Sequence, residues 1–269
     1  MKLIPHFPRP PLSRFVELIW AVRGKSDHAR EKVLPNGAVE LIINLGGRHK
    51  VVSKEEPGDF EVYRESWLAG MQEEHLVIEA LGESDLLGVR FRPGGAYPFL
   101  RFPVSEVTNR VVESDLVFGP LLRDLRETLI ETKEYGRRIR LVEEFLLKRI
   151  DPALADPLVA HALREIRKGD GRGLVRELSR EAGFSHKHLI TRFRKAAGLP
   201  PKLLYRIFRF QSVIGRVKNL SEVRWTEVAH DCGYFDQAHM IREFHLFSGS
   251  NPSQYLRHRD DDENHVVVR

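Results

Sequence analysis

The sequence predicts an α+β N-terminal domain, β-rich with helices at its C-terminal end, followed by an all-α domain in which a long linker helix joins two helix-turn-helix units. Three observations carry this expectation: β-branched runs between turn signals over residues 15–91, a change to helical periodicity from Leu100, and a motif that recurs 51 residues later in the C-terminal part.

Segments 15–22, 39–45, 75–80 and 86–91 read as strands, because Val, Ile and Leu dominate them and Pro35-Asn36-Gly37 and Gly46-Gly47 punctuate them; segment 15–22 also fits a helix. Arg92-Pro93-Gly94-Gly95 ends the series. From Leu100 to Ile150 the pattern is mainly helical, with Leu121, Leu122, Leu125 and Leu129 expected on one stripe and Ile139, Val142, Phe145 and Leu146 on the apolar face of a helix over 133–150. That helix stops at Asp151-Pro152, and Asp156-Pro157 follows; proline disfavours helical geometry in the residue before it. A boundary falls here, giving an α+β sensor or dimerisation domain over 1–155 and a helical domain over 156–259. In the latter, helices are expected near 157–168, 174–182, 186–197, 201–217, 225–232, 236–247 and 252–258, with no strand. The remainder, 260–269, is expected to be an acidic, disordered tail.

Charge divides along the same line. The net charge is +5, yet residues 157–259 hold 19 Lys and Arg against 9 Asp and Glu, whereas residues 1–156 hold 23 against 25. A compact basic segment points to a polyanion, although many basic domains merely have solvated surfaces. No apolar stretch approaches the roughly 20 residues needed to cross a bilayer. Prolines 5 and 8 interrupt the start before a signal-peptide core forms, and one cysteine, Cys232, fits a reducing compartment; a cytoplasmic location is expected.

The repeat is the strongest signal. Leu189, Phe193, Gly198 and Pro201 have the spacing of Met240, Phe244, Gly249 and Pro252. Leu178 and Gly183 match Val228 and Gly233 before them, with one residue added between Gly233 and Met240. A helix ending at glycine can turn sharply, Ser185 or Asp236 can cap the next helix, and the paired apolar residues face inward. The second helix of such a unit can enter a major groove with its N-terminal side chains. In the first unit His186, Lys187, His188 and Arg192 face outward; in the second Asp236, Gln237, His239 and Arg242 do. Arg192 can contact guanine and Gln237 adenine, each through two hydrogen bonds. Asp236 also has a plain role as a helix cap, and His188 one as a phosphate or water contact.

These residues carry a resemblance. Ala182-Gly183-Phe184-Ser185, Arg192-Phe193-Arg194 and Gly198-Leu199-Pro200-Pro201, with Val228 to Tyr234, Asp236-Gln237-Ala238-His239, Arg242-Glu243-Phe244 and Gly249 to Tyr255, resemble the tandem helix-turn-helix domain of the AraC/XylS family of bacterial transcription regulators. The resemblance implies that the linker helix, 201 to about 217, carries Arg206 and Arg209 toward DNA. At about 17 residues and roughly 25 Å it would set two recognition helices about one DNA turn apart. Thr191 stands where the family often has arginine, and Met240 and His245 replace the common Phe and Lys.

The first half is similar to N-terminal domains attached to regulators of that family, through Leu34-Pro35-Asn36-Gly37 and Phe91-Arg92-Pro93-Gly94-Gly95. Such domains sense an effector or dimerise. Trp20, Trp67, Tyr97 and Arg92 are candidates for lining a pocket, with core packing for the aromatics and a surface salt link for Arg92 the favoured alternative. No metal, cofactor or enzymatic activity is expected: the chain has no His-Glu-x-x-His, P-loop or serine elbow, and Asp231 beside Cys232 argues against a reactive thiol. The implied partners are double-stranded DNA, then RNA polymerase, a small-molecule effector and a second copy of the chain, with no membrane. Two rivals stand beside this reading: an enzyme with its site in the N-terminal half, and an interaction protein whose N-terminal half recruits a partner.

Overall fold

The apolar runs upstream of Phe91 fold into strands whose alternate residues face opposite ways. Ile19, Leu41 and Leu68 turn to one side of a sheet, Trp20, Ile42 and Trp67 to the other. The computed structural model describes residues 3–25, 30–52, 59–167, 176–177, 180, 183–218, 223–258 and 265–268. The strands are β1 Leu3–His6, β2 Val16–Lys25, β3 Arg30–Val33, β4 Glu40–Asn44, β5 His49–Val52, β6 Phe60–Tyr63, β7 Ser66–Ala69, β8 Leu76–Ala80, β9 Glu83–Phe91, β10 Val111–Glu113 and β11 His265–Val268. They form two antiparallel sheets, ordered β1-β2-β9-β4-β7-β10 and β11-β3-β8-β5-β6.

Between the sheets, Trp20, Ile42 and Trp67 of the first pack with Tyr63 and Val51 of the second. Gly88 lies beneath the Trp20 indole, where a β-carbon would sit 1.9 Å from a ring atom, which explains a glycine inside a strand. The indole nitrogen donates to Glu40 at 3.1 Å, and Arg90 donates to the same carboxylate at 2.7 Å. The aromatics are therefore core, as favoured. Arg92 is a correction to the expected salt link: its Nε donates to the Ser13 carbonyl at 2.8 Å.

The helices are α1 Tyr97–Leu100, α2 Asp115–Phe118, α3 Pro120–Glu131, α4 Tyr135–Arg149, α5 Pro157–Arg167, α6 His186–Ala197, α7 Pro201–Val217, α8 Trp225–Asp231, α9 Gln237–Ser248 and α10 Pro252–His258. The stripe on α3 is Leu122, Leu125 and Leu129, because Leu121, in the first turn, points outward and is 62% exposed. Of the helix expected over 174–182, only residues 176, 177 and 180 are described, and all three are helical.

The tail also departs from expectation. Residues 265–268 form β11, which pairs antiparallel with β3, placing His265 opposite Val33. Val266 is buried against the main core and His265 Nδ1 lies 2.8 Å from a Glu31 carboxylate oxygen. Three consecutive valines find an open sheet edge there, and the acidic run before them gave no sign of it.

One contiguous apolar cluster runs from Leu12 through the helices to Val266, so the two halves share a core. Their polar contacts fall in register with it. The Gln211 amide donates to the Pro35 carbonyl at 2.6 Å, and Arg167 pairs with Glu17 at 3.1 Å.

Candidate nucleic-acid interface

Each helix-turn-helix unit is built by the local devices the sequence displays. Gly183 and Gly233 adopt φ of +68° and +74°, the left-handed turn that a β-carbon opposes. Ser185 Oγ then accepts from the His188 amide at 3.2 Å, and Asp236 Oδ1 from the His239 amide at 2.6 Å, capping α6 and α9. Leu189, Phe193, Met240 and Phe244 are all buried.

Both recognition helices are seated on the N-terminal half at their C-terminal ends. The C-terminal end of α6 meets the N-terminal half where the Thr108 hydroxyl donates to the Gly198 carbonyl at 3.1 Å and Lys195 lies over the Tyr97 ring at 5.5 Å. The C-terminal end of α9 is held by the His75 amide, which donates to the Phe247 carbonyl at 3.0 Å, and by Lys32, which donates to the Ser248 carbonyl at 3.3 Å. The N-terminal ends face solvent.

There His186, Lys187 and His188 are exposed, with His188 stacked on Phe184 at 4.8 Å. Arg242 is exposed on α9, with no ion pair among the described residues. Gln237 is half-buried, and its Oε1 accepts from the Thr226 hydroxyl at 3.0 Å, which leaves its NH2 group to donate elsewhere. His239 packs against the Tyr234 ring at 5.3 Å, and Asp236 serves as the cap.

Three arginines have internal partners. Arg192 grips Asp156 with both forks, at 2.7 and 2.8 Å, and lies over Phe184 at 4.9 Å. Asp156 simultaneously accepts from the amides of Leu158 and Val159 at 3.1 Å, capping α5. Arg206 and Arg209, on α7, both bind Glu243 of α9, at 2.6 and 2.5 Å. Arg209 is only 9% exposed, packs 4.0 Å from the Tyr234 ring centre and donates to the Gly233 carbonyl at 3.3 Å. In this arrangement it faces protein, and the direction toward DNA that the resemblance implies for it is not the one observed. Burial pushes the Glu243 carboxyl up, but Arg209 and Arg206 pull it further down, so it lies below the usual carboxylate range. Burial pushes the Tyr234 hydroxyl up, beyond any physiological titration.

The sequence reading missed Glu243, Thr226 and Asp156 as partners. Glu243 had one signal: it is three residues after buried Met240 and beside Phe244, on the inward face. Replacing Asp156 by alanine should cost about 1–3 kcal/mol, from a lost cap and a lost half-buried ion pair. Asp156→Asn, which keeps a capping oxygen, should cost less, and urea unfolding of both variants checks the order.

Burial pushes the Cys232 thiol up, and among the described residues no three His, Cys, Asp or Glu side chains are placed to hold a metal ion. No described helix is long and apolar enough to cross a membrane.

Comparison with known proteins agrees with this geometry. Residues 178–258 match a family model described as a helix-turn-helix domain, and residues 5–113 match one described as a domain of unknown function, DUF6597. The C-terminal part is thus a helix-turn-helix domain of the AraC type, of the class found in DNA-binding regulators. The particular arrangement is that domain preceded by a DUF6597 domain in one chain. Among solved structures, ToxT from Vibrio cholerae O395 bound to (E)-4-(8-methylnaphthalen-1-yl)but-3-enoic acid has the same fold. It superposes with a TM-score of 0.50 at 11% identity, over 89% of this chain and 98% of that one. Another ToxT structure from Vibrio cholerae, in the P21 form, gives 0.49 at 11% identity over 89% and 98%. No curated protein matches the chain.

Proposed function

We propose that the chain is a sequence-specific transcription regulator in which α6 and α9 enter two successive major grooves of double-stranded DNA. Residues 156–259 read the DNA, and residues 1–155 modulate the output through a small effector or through pairing with a second copy. The observation that carries this reading is the matched pair of capped helices, each with its N-terminal end open and its C-terminal end seated on the N-terminal half, within a segment of 19 basic against 9 acidic residues.

His186, Lys187 and His188 of α6, with Gln237, His239 and Arg242 of α9, supply the groove-facing set. Asp236 caps its helix, while Arg192, Arg206 and Arg209 hold the frame that fixes the two helices relative to the rest. An effector acting on the N-terminal half has a physical route, because Thr108, His75 and Lys32 touch the recognition helices directly. The small organic acid bound by ToxT, a protein of the same fold, supports an effector of that size here.

The full chain should enrich specific duplexes from a randomised library. With six or more phosphate contacts, its affinity should fall by at least about a thousandfold between roughly 50 and 200 mM salt. An affinity indifferent to salt would sink the reading.

A further inference from the structure

The two units differ by one residue, and the structure shows where it goes. In the first, Phe184 lies between turn glycine and cap, its ring stacked on His188 and covered by Arg192. In the second, Tyr234 is buried under Arg209, and the added residue, Phe235, is turned outward at 88% exposure, the highest of any large apolar side chain among the described residues.

Phe235 and Gln237 flank the cap Asp236 at the open end of α9. One offers an apolar face. The other has its carbonyl oxygen engaged by Thr226 and an NH2 group free to donate. A base edge that matches both is thymine, which presents in the major groove an O4 acceptor beside a C5 methyl group. Adenine could use both the oxygen and the NH2 group of Gln237, but it presents no methyl group to Phe235.

We propose that the turn of the second unit reads a thymine, with Phe235 packed on its C5 methyl and Gln237 donating to O4. The inference rests on the regulator reading above. Phe235 is the specificity-determining residue that the repeat alone conceals, because the first unit has no counterpart.

The test uses the full chain and duplexes it selects from a randomised library, with each thymine of the second half-site replaced in turn by uracil, which lacks only the methyl. One replacement should weaken wild-type binding about fourfold, the worth of a buried methyl-sized group, and leave the binding of Phe235→Ala unchanged. Phe235→Leu should keep most of the methyl effect. Since the side chain is exposed, both variants should unfold at the wild-type temperature. Wild-type affinity in Phe235→Ala overturns the proposal, and so does a loss in that variant without any uracil effect on the wild type. A chain that enriches no duplex at all fails earlier, at the regulator reading itself.

Discussion

Glu243→Ala should destabilise the second helix-turn-helix unit by about 3–5 kcal/mol, because it leaves Arg209 buried without its counter-charge. The linker helix and the second recognition helix meet at this carboxylate. Arg206 and Arg209 both reach it from α7, and Glu243 is itself almost wholly buried. Breaking such a pair costs far more than the net worth of forming it, since desolvation of the remaining ion is no longer offset. Chemical denaturation followed by near-ultraviolet signals of Tyr234 and its neighbours would report the loss.

The pH dependence follows from the same contact. The folded carboxyl titrates below its unfolded value of about 4.3, so its contribution is fully present above that value. As pH falls through the lower folded value, the contribution disappears. The gap in stability between wild type and Glu243→Gln should therefore be constant from neutral pH down to about 5 and close at stronger acidity. A gap that widened on acidification would contradict the pairing.

How far the sequence displays this structure depends on how local each signal is. The helices 186–197, 201–217 and 252–258 appear with the expected bounds because a cap, a proline or a glycine marks each end within a few residues. The short strands β1, β3, β5, β6, β7 and β10 lie outside the four expected segments, and β3 shows why: Arg30-Glu31-Lys32-Val33 has one apolar residue, and only pairing with β8 and β11 makes it a strand. The candidate interface divides in the same way. His186, Lys187, His188 and Arg242 are read from helical phase alone, and they are exposed as that phase requires. Arg192, Arg206 and Arg209 have acidic partners 34 to 37 residues away, and no local pattern distinguishes an arginine aimed at phosphate from one aimed at a distant carboxylate.

Phe210→Ala should cost about 3–5 kcal/mol, and the cause is packing rather than charge. Phe210 is fully buried on α7, with ring centres 5.0 Å from Phe244 and 5.2 Å from Phe247 of α9. Truncation removes both aromatic contacts and opens a cavity at the seam that Glu243 closes on its outer side. The loss should be the same at pH 5 and pH 8, in contrast to the titrating pair. Amides of α9 should exchange faster with solvent, while those of β4 and β9 keep their protection. Affinity for a selected duplex should fall with the population of the ordered second unit. Phe210→Leu, which refills most of the volume, should recover the larger part of both. The double variant with Glu243→Ala should cost less than the two single losses added, because both act on one seam that can open only once. Unchanged exchange in α9 after Phe210→Ala would mean that the N-terminal half, through His75 and Lys32, holds the second recognition helix without the linker's help.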